Sequence, residues 1–209
     1  MRHCFLLYAL LLSACSLTAR AQTAREVLDA TATLISGSGV RAQFKATQFN
    51  GTTPQEETTG TMQLHGRRFQ MQTPDMTLWY DGQTQWSMLR GADEVNVTEP
   101  TEEERAALNP SALMGIYKQG YSLKLRKATL RGKPTYEVRL KAKNKKAAFT
   151  DIYVDVEQAT YRPLCFRAKK DGNWMRLSIL SFENGLTLPD AAFTFPEKDY
   201  PDVEVIDLR

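Results

Sequence analysis

At 209 residues, 42% of them hydrophobic and 24% charged, the chain is long enough to bury a substantial core in one domain. Its formal net charge of +3 falls to +1 once an N-terminal segment holding Arg2 and Arg20 and no acid is set aside; such a balance argues against an electrostatic binder of nucleic acid, which needs a clustered basic surface. Cys4 and Cys15 lie in the same segment, so if it is cleaved after Ala21, Cys165 is the one cysteine left, an intramolecular disulfide is excluded and stability is left to packing.

That segment, residues 1–21, reads as an export signal. Arg2 and His3 precede an apolar run from Cys4 to Leu12 that is too short to span a bilayer as a helix. Two processing sites compete. Ala19-Arg20-Ala21 before Gln22 has the small-x-small form of ordinary signal cleavage and would release a soluble protein, residues 22–209. Leu12-Ser13-Ala14-Cys15 has the form of a lipobox, and its use would acylate Cys15 and tether the chain to a membrane.

From Thr23 to Ser36, Val27, Leu28, Thr31, Leu34 and Ile35 recur with the spacing of an amphipathic helix. Thr23 and Glu26 form a capping box at its start, and Gly37 and Gly39 end it. Strands follow from Val40. The alternation of period two is clearest at Tyr136, Val138 and Leu140, at Ile152, Val154 and Val156, and at Leu164, Phe166 and Ala168. Asn50-Gly51, Asp81-Gly82, Asp171-Gly172 and Asn184-Gly185 each tolerate positive φ and predict hairpins, hence a mostly antiparallel sheet. Roughly ten or eleven strands are more than a flat open sheet favours, which predicts a strongly curved or barrel-like one. Between Thr101 and Tyr117 the pattern turns helical, with a second capping box at Thr101 and Glu104 and a break at Asn109-Pro110. Leu113, Met114, Ile116 and Tyr117 give this piece an apolar surface, as expected of a cover over the sheet.

Little in the chain supports covalent chemistry. Beyond the signal segment only His65 remains, too few for a histidine-dependent triad or a histidine-rich metal site. Cys165 falls on the polar phase of its strand, and no phosphate loop or dinucleotide fingerprint is present. Paired carboxylates remain open in principle, since a hydrolase needs two acids close in space, but abundance of acids is no argument for them. Lys141, Lys143, Lys145 and Lys146 read as a solvated hairpin tip, and the three tryptophans, on or beside hairpins, as structural. The expectation is a protein that is not an enzyme and uses no metal or cofactor.

The stretch from Gly60 to Leu89 is the most telling. Its short strands are expected to place Met62, Leu64, Phe69, Met71, Leu78 and Met88 on one apolar surface lining a core or a pocket. Methionine suits either, because it is unbranched and adapts to variable apolar neighbours.

These segments resemble the periplasmic outer-membrane lipoprotein carriers, the LolA-like family. The resemblance rests on the amphipathic helix leading into Arg41-Ala42-Gln43-Phe44, on Gly60-Thr61-Met62-Gln63-Leu64, Arg68-Phe69-Gln70-Met71 and Leu78-Trp79-Tyr80-Asp81-Gly82, and on Asp190-Ala191-Ala192-Phe193-Thr194-Phe195-Pro196 followed by Val203-Glu204-Val205-Ile206. It implies a mainly β fold, an incomplete, strongly curved antiparallel barrel with an N-terminal helix and a helical lid over an apolar cavity. The cargo would be acylated lipoproteins, bound by the six apolar residues above and covered by Leu113, Met114 and Ile116. The partners implied are an inner-membrane releasing machinery and an outer-membrane acceptor, the carrier itself being a monomer. Phe69 matches an aromatic of the family that supports a basic lid latch. The basic position falls near Gly66 or Arg67, without the usual proline, which makes Arg67 the latch candidate. A membrane-tethered relative acylated at Cys15, acting as lipoprotein receptor or envelope-assembly factor, is the alternative.

Overall fold

The computed structural model describes residues 22–101, 104 and 115–209. One helix, α1 (Ala24–Ser36), precedes six strands: β1 (Gly39–Asn50), β2 (Thr53–His65), β3 (Arg68–Gln72), β4 (Met76–Tyr80), β5 (Gln85–Leu89) and β6 (Glu94–Thr98). Five more follow the 99–120 connection: β7 (Tyr121–Leu130), β8 (Lys133–Ala142), β9 (Asp151–Glu157), β10 (Pro163–Lys170) and β11 (Asn173–Leu186), with a short β12 (Glu204–Asp207) near the C-terminus.

The twelve strands form a single unclosed sheet in the order β12-β6-β5-β4-β3-β2-β1-β11-β10-β9-β8-β7. Two antiparallel meanders, β1–β6 and β7–β11, join through the long β1–β11 pair. The expected antiparallel sheet is therefore present, with one strand more than the upper expectation. β12 departs from it, because it pairs parallel to β6. The topology puts β6 near one end of the sheet and β7 at the other, so residues 99–120 connect opposite ends.

Turn chemistry accounts for most of the hairpins. Gly51 (φ 60°) opens the two-residue link between β1 and β2, and Asp171-Gly172 (φ 50° and 85°) closes β10 onto β11. Asp81 Oδ1 accepts from the backbone N–H groups of Gln83 and Thr84, both at 2.8 Å, and shapes the β4–β5 loop. Asn184-Gly185 corrects the sequence expectation. It makes no hairpin; Gly185 (φ 84°) lies within β11, where the register slips from Val40↔Asn184 to Gly39↔Leu186, a bulge. A hairpin not anticipated forms instead at Arg131-Gly132 (φ 49° and 76°).

The main core lies between α1 and one face of the sheet, here the inner face. Val27, Leu28 and Ile35 project from the helix onto it. The capping box predicted for α1 is present, with Glu26 N–H donating to Thr23 Oγ1 at 3.2 Å and Thr23 N–H to Glu26 Oε2 at 2.9 Å. Glycine has a packing role at one strand position: a Cβ on Gly60 would sit 2.7 Å from Phe44 Cζ and 2.4 Å from the Gln72 carbonyl oxygen. Only a residue without a side chain lets the Phe44 ring lie across β2 there. A second, smaller cluster of Trp79, Val95 and Phe195 occupies the opposite face over β4–β6, under the C-terminal segment.

Candidate functional site

Pairing registers resolve the inner face into cross-strand rows. Ala42, Met62, Met71 and Leu78 stand directly opposite one another across β1 to β4, and Val40, Leu64, Phe69 and Tyr80 form the adjacent row. On the other side of β1, Ala46, Leu177, Phe166, Val154, Val138 and Leu125 continue the same surface to β7. The result is an apolar floor that runs across most of the sheet with no charged side chain in these rows.

Five of the six predicted floor residues are brought together. Met62, Leu64, Phe69 and Leu78 are buried in the main cluster, and Met71 packs against it half-exposed. Met88 is not among them. It pairs with Thr77, next to Leu78↔Ser87, so its side chain lies on the opposite face beside Trp79, Val95 and Phe195. Of the lid candidates, Ile116 packs half-buried against the main cluster. Leu113 and Met114 lie outside the described residues.

The cover described along its whole length is α1. Between its Ile35 and the sheet residues Ala42, Phe44, Met62, Leu64 and Phe166 lies a cavity of about 20 Å³ bounded by apolar side chains. That is room for about one water, and an apolar space of this size stays dry. A hydrocarbon chain fits in that space only if α1 moves.

Among the described residues, two side-chain hydrogen bonds join that cover to other elements. Thr31 Oγ1 donates to the Tyr161 carbonyl at 3.1 Å, and Tyr161, at φ 56°, presents that carbonyl from the β9–β10 turn. The Tyr117 hydroxyl donates to Asp29 on the exposed side of the helix, and Arg25 lies 5.9 Å above the Tyr117 ring. Burial and the Asp29 carboxylate push the Tyr117 hydroxyl up to about 12. Sequence pattern placed Tyr117 on the apolar side of the second helical segment but gave no sign of this clasp, whose partners are 88 positions apart.

Arg67 is exposed at the β2–β3 turn. Its neighbour Arg68 makes the bridging contacts: Nη1 to Asp190 Oδ1 at 2.5 Å, Nη2 to His65 Nδ1 at 2.9 Å, and a guanidinium 5.0 Å above the Phe193 ring. These tie β3 to the 3-10 turn Asp190–Phe193, and the guanidinium holds the Asp190 carboxyl below its ordinary value. Cys165 is buried on the outer face, where desolvation and the Asp155 charge push its thiol up, away from the thiolate a nucleophile needs. Among the described residues no group of three His, Cys, Asp or Glu could hold a metal ion, and no helix is long and apolar enough to cross a membrane.

An unclosed antiparallel sheet with a helix packed on its apolar face has a counterpart among known sequences. Residues 14–172 match the profile of the family described as outer membrane lipoprotein carrier protein LolA. The chain belongs to this family. Its fold is shared with a solved conserved protein from Thermus thermophilus, at 14% identity and a TM-score of 0.60, over 89% of this chain and 99% of that one. Weaker structural likenesses include a LolA superfamily protein from Nitrosomonas europaea, at 11% identity and a TM-score of 0.44 over 84% of this chain and 99% of that one. LprF from Mycobacterium bovis is similar at 11% identity and a TM-score of 0.48, over 79% and 95%. A sequence search of curated proteins finds no match. The match to the LolA family covers α1, the whole of the first meander and the strands up to β10; the Phe195 segment and β12 lie beyond it.

Proposed function

We propose that this LolA-family chain is a non-enzymatic carrier of the periplasm that holds the acyl chains of lipoproteins against the inner face of its sheet and delivers them towards the outer membrane. The observation that carries the reading is the continuous apolar floor under a helix that packs on it. Each CH₂ withdrawn from water is worth about 0.8 kcal/mol, so an acyl chain brings its own driving force and the protein supplies only a dry surface. Release requires that the empty state bury the same surface nearly as well, and α1, whose Ile35 lies beside Met62 and Leu64, does so for that part of the floor. Leu113, Met114 and Ile116 are the proposed lid and Arg67 the proposed latch, with Arg68 beside it.

The test is native mass spectrometry of the protein purified from its own envelope, together with binding of a purified triacylated lipoprotein by wild type and by Leu64→Glu and Phe69→Glu. Co-purified acylated cargo, and loss of binding in folded variants, are the expected results. Binding unchanged in both folded variants would remove the inner face as the site. The lipobox at Cys15 keeps a membrane-tethered receptor as the second reading, and the mature mass separates the two, since a product beginning at Gln22 excludes acylation of Cys15.

A further inference from the structure

The outer face of the second meander carries a cross-strand row that the carrier reading does not use. Register places Thr47, Arg176, Arg167, Tyr153, Arg139 and Lys124 opposite one another in that order, from β1 through β11, β10, β9 and β8 to β7. Like charges directly opposite destabilise an antiparallel pair, and Arg167 faces Arg176.

The two arginines differ in what offsets their charge. Arg167 is paired with Glu137 at 2.6 Å and Asp155 at 3.2 Å. Arg176 has no carboxylate partner at ion-pair distance among the described residues. The acid that senses its charge, Glu57, is held by Lys45 at 2.6 Å and by the Thr47 hydroxyl at 3.2 Å. The Arg176 guanidinium instead lies 5.1 Å over the Phe49 ring, and its buried Nε–H has no acceptor. A buried donor without a partner is costly, more so on a charged group.

Both arginines line a groove of about 370 Å³, walled by Phe49, Tyr153 and Trp174 and edged by Thr52 of the β1–β2 turn. Tyr153 is fixed in place, with Arg167 4.7 Å above its ring and Trp174 at a centroid distance of 5.8 Å. The volume lies in the range of small-molecule sites. Aromatic walls accept a flat or apolar body, and the guanidinium edges call for an oxyanion. Two guanidiniums arriving from neighbouring strands favour a tetrahedral phosphate, which offers oxygens to both, over a planar carboxylate, which one guanidinium fork already fills.

We propose that this outer groove is a second binding site, for a phosphate ester whose anion bridges Arg176 and Arg167 and whose organic body lies against Trp174, Tyr153 and Phe49. It lies on the face opposite the acyl-binding floor and does not depend on that assignment. The phosphate could belong to a free small molecule or to a lipid headgroup.

The test is NMR titration of the protein spanning residues 22–209, following the three tryptophan indole N–H signals, with Trp174 identified by Trp174→Phe. The probes are phenyl phosphate, its neutral counterpart benzyl alcohol, and dihexanoyl phosphatidylglycerol below its micelle concentration. A saturable shift of the Trp174 signal with a phosphate probe is expected, weakened at least tenfold in Arg176→Gln and absent with benzyl alcohol. Saturation by phenyl phosphate alone assigns a free ester, and saturation by the lipid assigns a headgroup. Should Arg176→Gln not fold, Arg176→Lys, which keeps the charge and loses the fork, is expected to bind at least threefold more weakly. No saturable shift with either phosphate, equal affinity in the folded arginine variant, or equally tight binding of benzyl alcohol overturns the proposal.

Discussion

Met62 and Met88 carry the same side chain on neighbouring parts of one meander, yet they serve opposite faces. From β2 to β5 each pair of facing positions sums to an odd number, so the inward parity alternates: even in β2, odd in β3, even in β4, odd in β5. Met62, Leu64, Phe69, Met71 and Leu78 obey this alternation. Met88 keeps the parity of Leu78 across one more hairpin and therefore turns outward, since a shift of one residue moves a side chain to the other face. Met62→Ala is expected to cost about 2–5 kcal/mol, in line with large-to-small changes at buried sites, and Met88→Ala distinctly less. Urea denaturation of the two variants checks the order. Acyl binding should fall only in Met62→Ala.

Glu137 sets a second expectation at the same scale. It is nearly fully buried, bonded to Arg126 and Arg167, and these guanidiniums hold its carboxyl below the ordinary value. A carboxyl depressed in the folded state contributes stability above its unfolded value of about 4.3 and loses it as the pH falls through the folded value. Asp155 is pushed up by its own burial and works in the opposite sense, so the variant is more informative than the wild-type acid limb alone. Glu137→Gln is expected to destabilise towards the lower end of the ~3–5 kcal/mol seen when one partner of a buried ion pair is removed. Thermal melts should show that deficit in full at pH 6 and shrinking below pH 4.

At the scale of elements, α1 and the strands were legible because their signals are local: a capping box, a 3.6-residue stripe, a period of two. The bulge at Asn184-Gly185 and the hairpin at Arg131-Gly132 were not. A bulge and a two-residue turn both need positive φ, so the Asn-Gly dipeptide announces the conformation and leaves the pairing undetermined. At Arg131 the turn is built on a residue with no preference for that region, and its side chain explains the choice: Nη2 donates to the Leu164 and Ile179 carbonyls at 2.9 and 2.8 Å. The Tyr117–Asp29 clasp was equally hidden, since it joins α1 to the chain just before β7. Tyr117→Phe is expected to cost about 0.5–1.5 kcal/mol at neutral pH, the range for one hydrogen bond. A hydroxyl raised to about 12 in the folded state and near 10 when unfolded makes stability fall as the pH rises through that interval. Tyr117→Phe should lack this part of the alkaline loss in denaturation curves at pH 9, 10 and 11.

At the scale of the molecule, the two meanders meet at β1 and β11, and the outward faces on either side of this seam are treated differently. The C-terminal segment covers β4–β6 with Phe195 against Trp79 at 5.5 Å, whereas β8–β11 present an open ionic and aromatic lattice to solvent. The inner face is shared by both meanders, and the Ile35 cavity straddles the seam, with Phe44 and Met62 on one side and Phe166 and Leu177 on the other. A chain molecule entering there must displace α1, because about 20 Å³ holds no more than about one water. The sheet has no such freedom, since β1 and β11 are each hydrogen-bonded on both edges; on the proposed carrier reading the floor would stay fixed while the cover exchanged its contacts for those of the ligand. Hydrogen exchange measured with and without a saturating triacylated peptide therefore has a defined pattern. Amides of Ala24–Ser36 should exchange at least tenfold faster in the complex, and those of β1 and β11 should be unchanged. Unaltered protection of α1 in a saturated complex would mean that acyl chains enter without lifting the helix, and the floor beneath it would then not be where they bind.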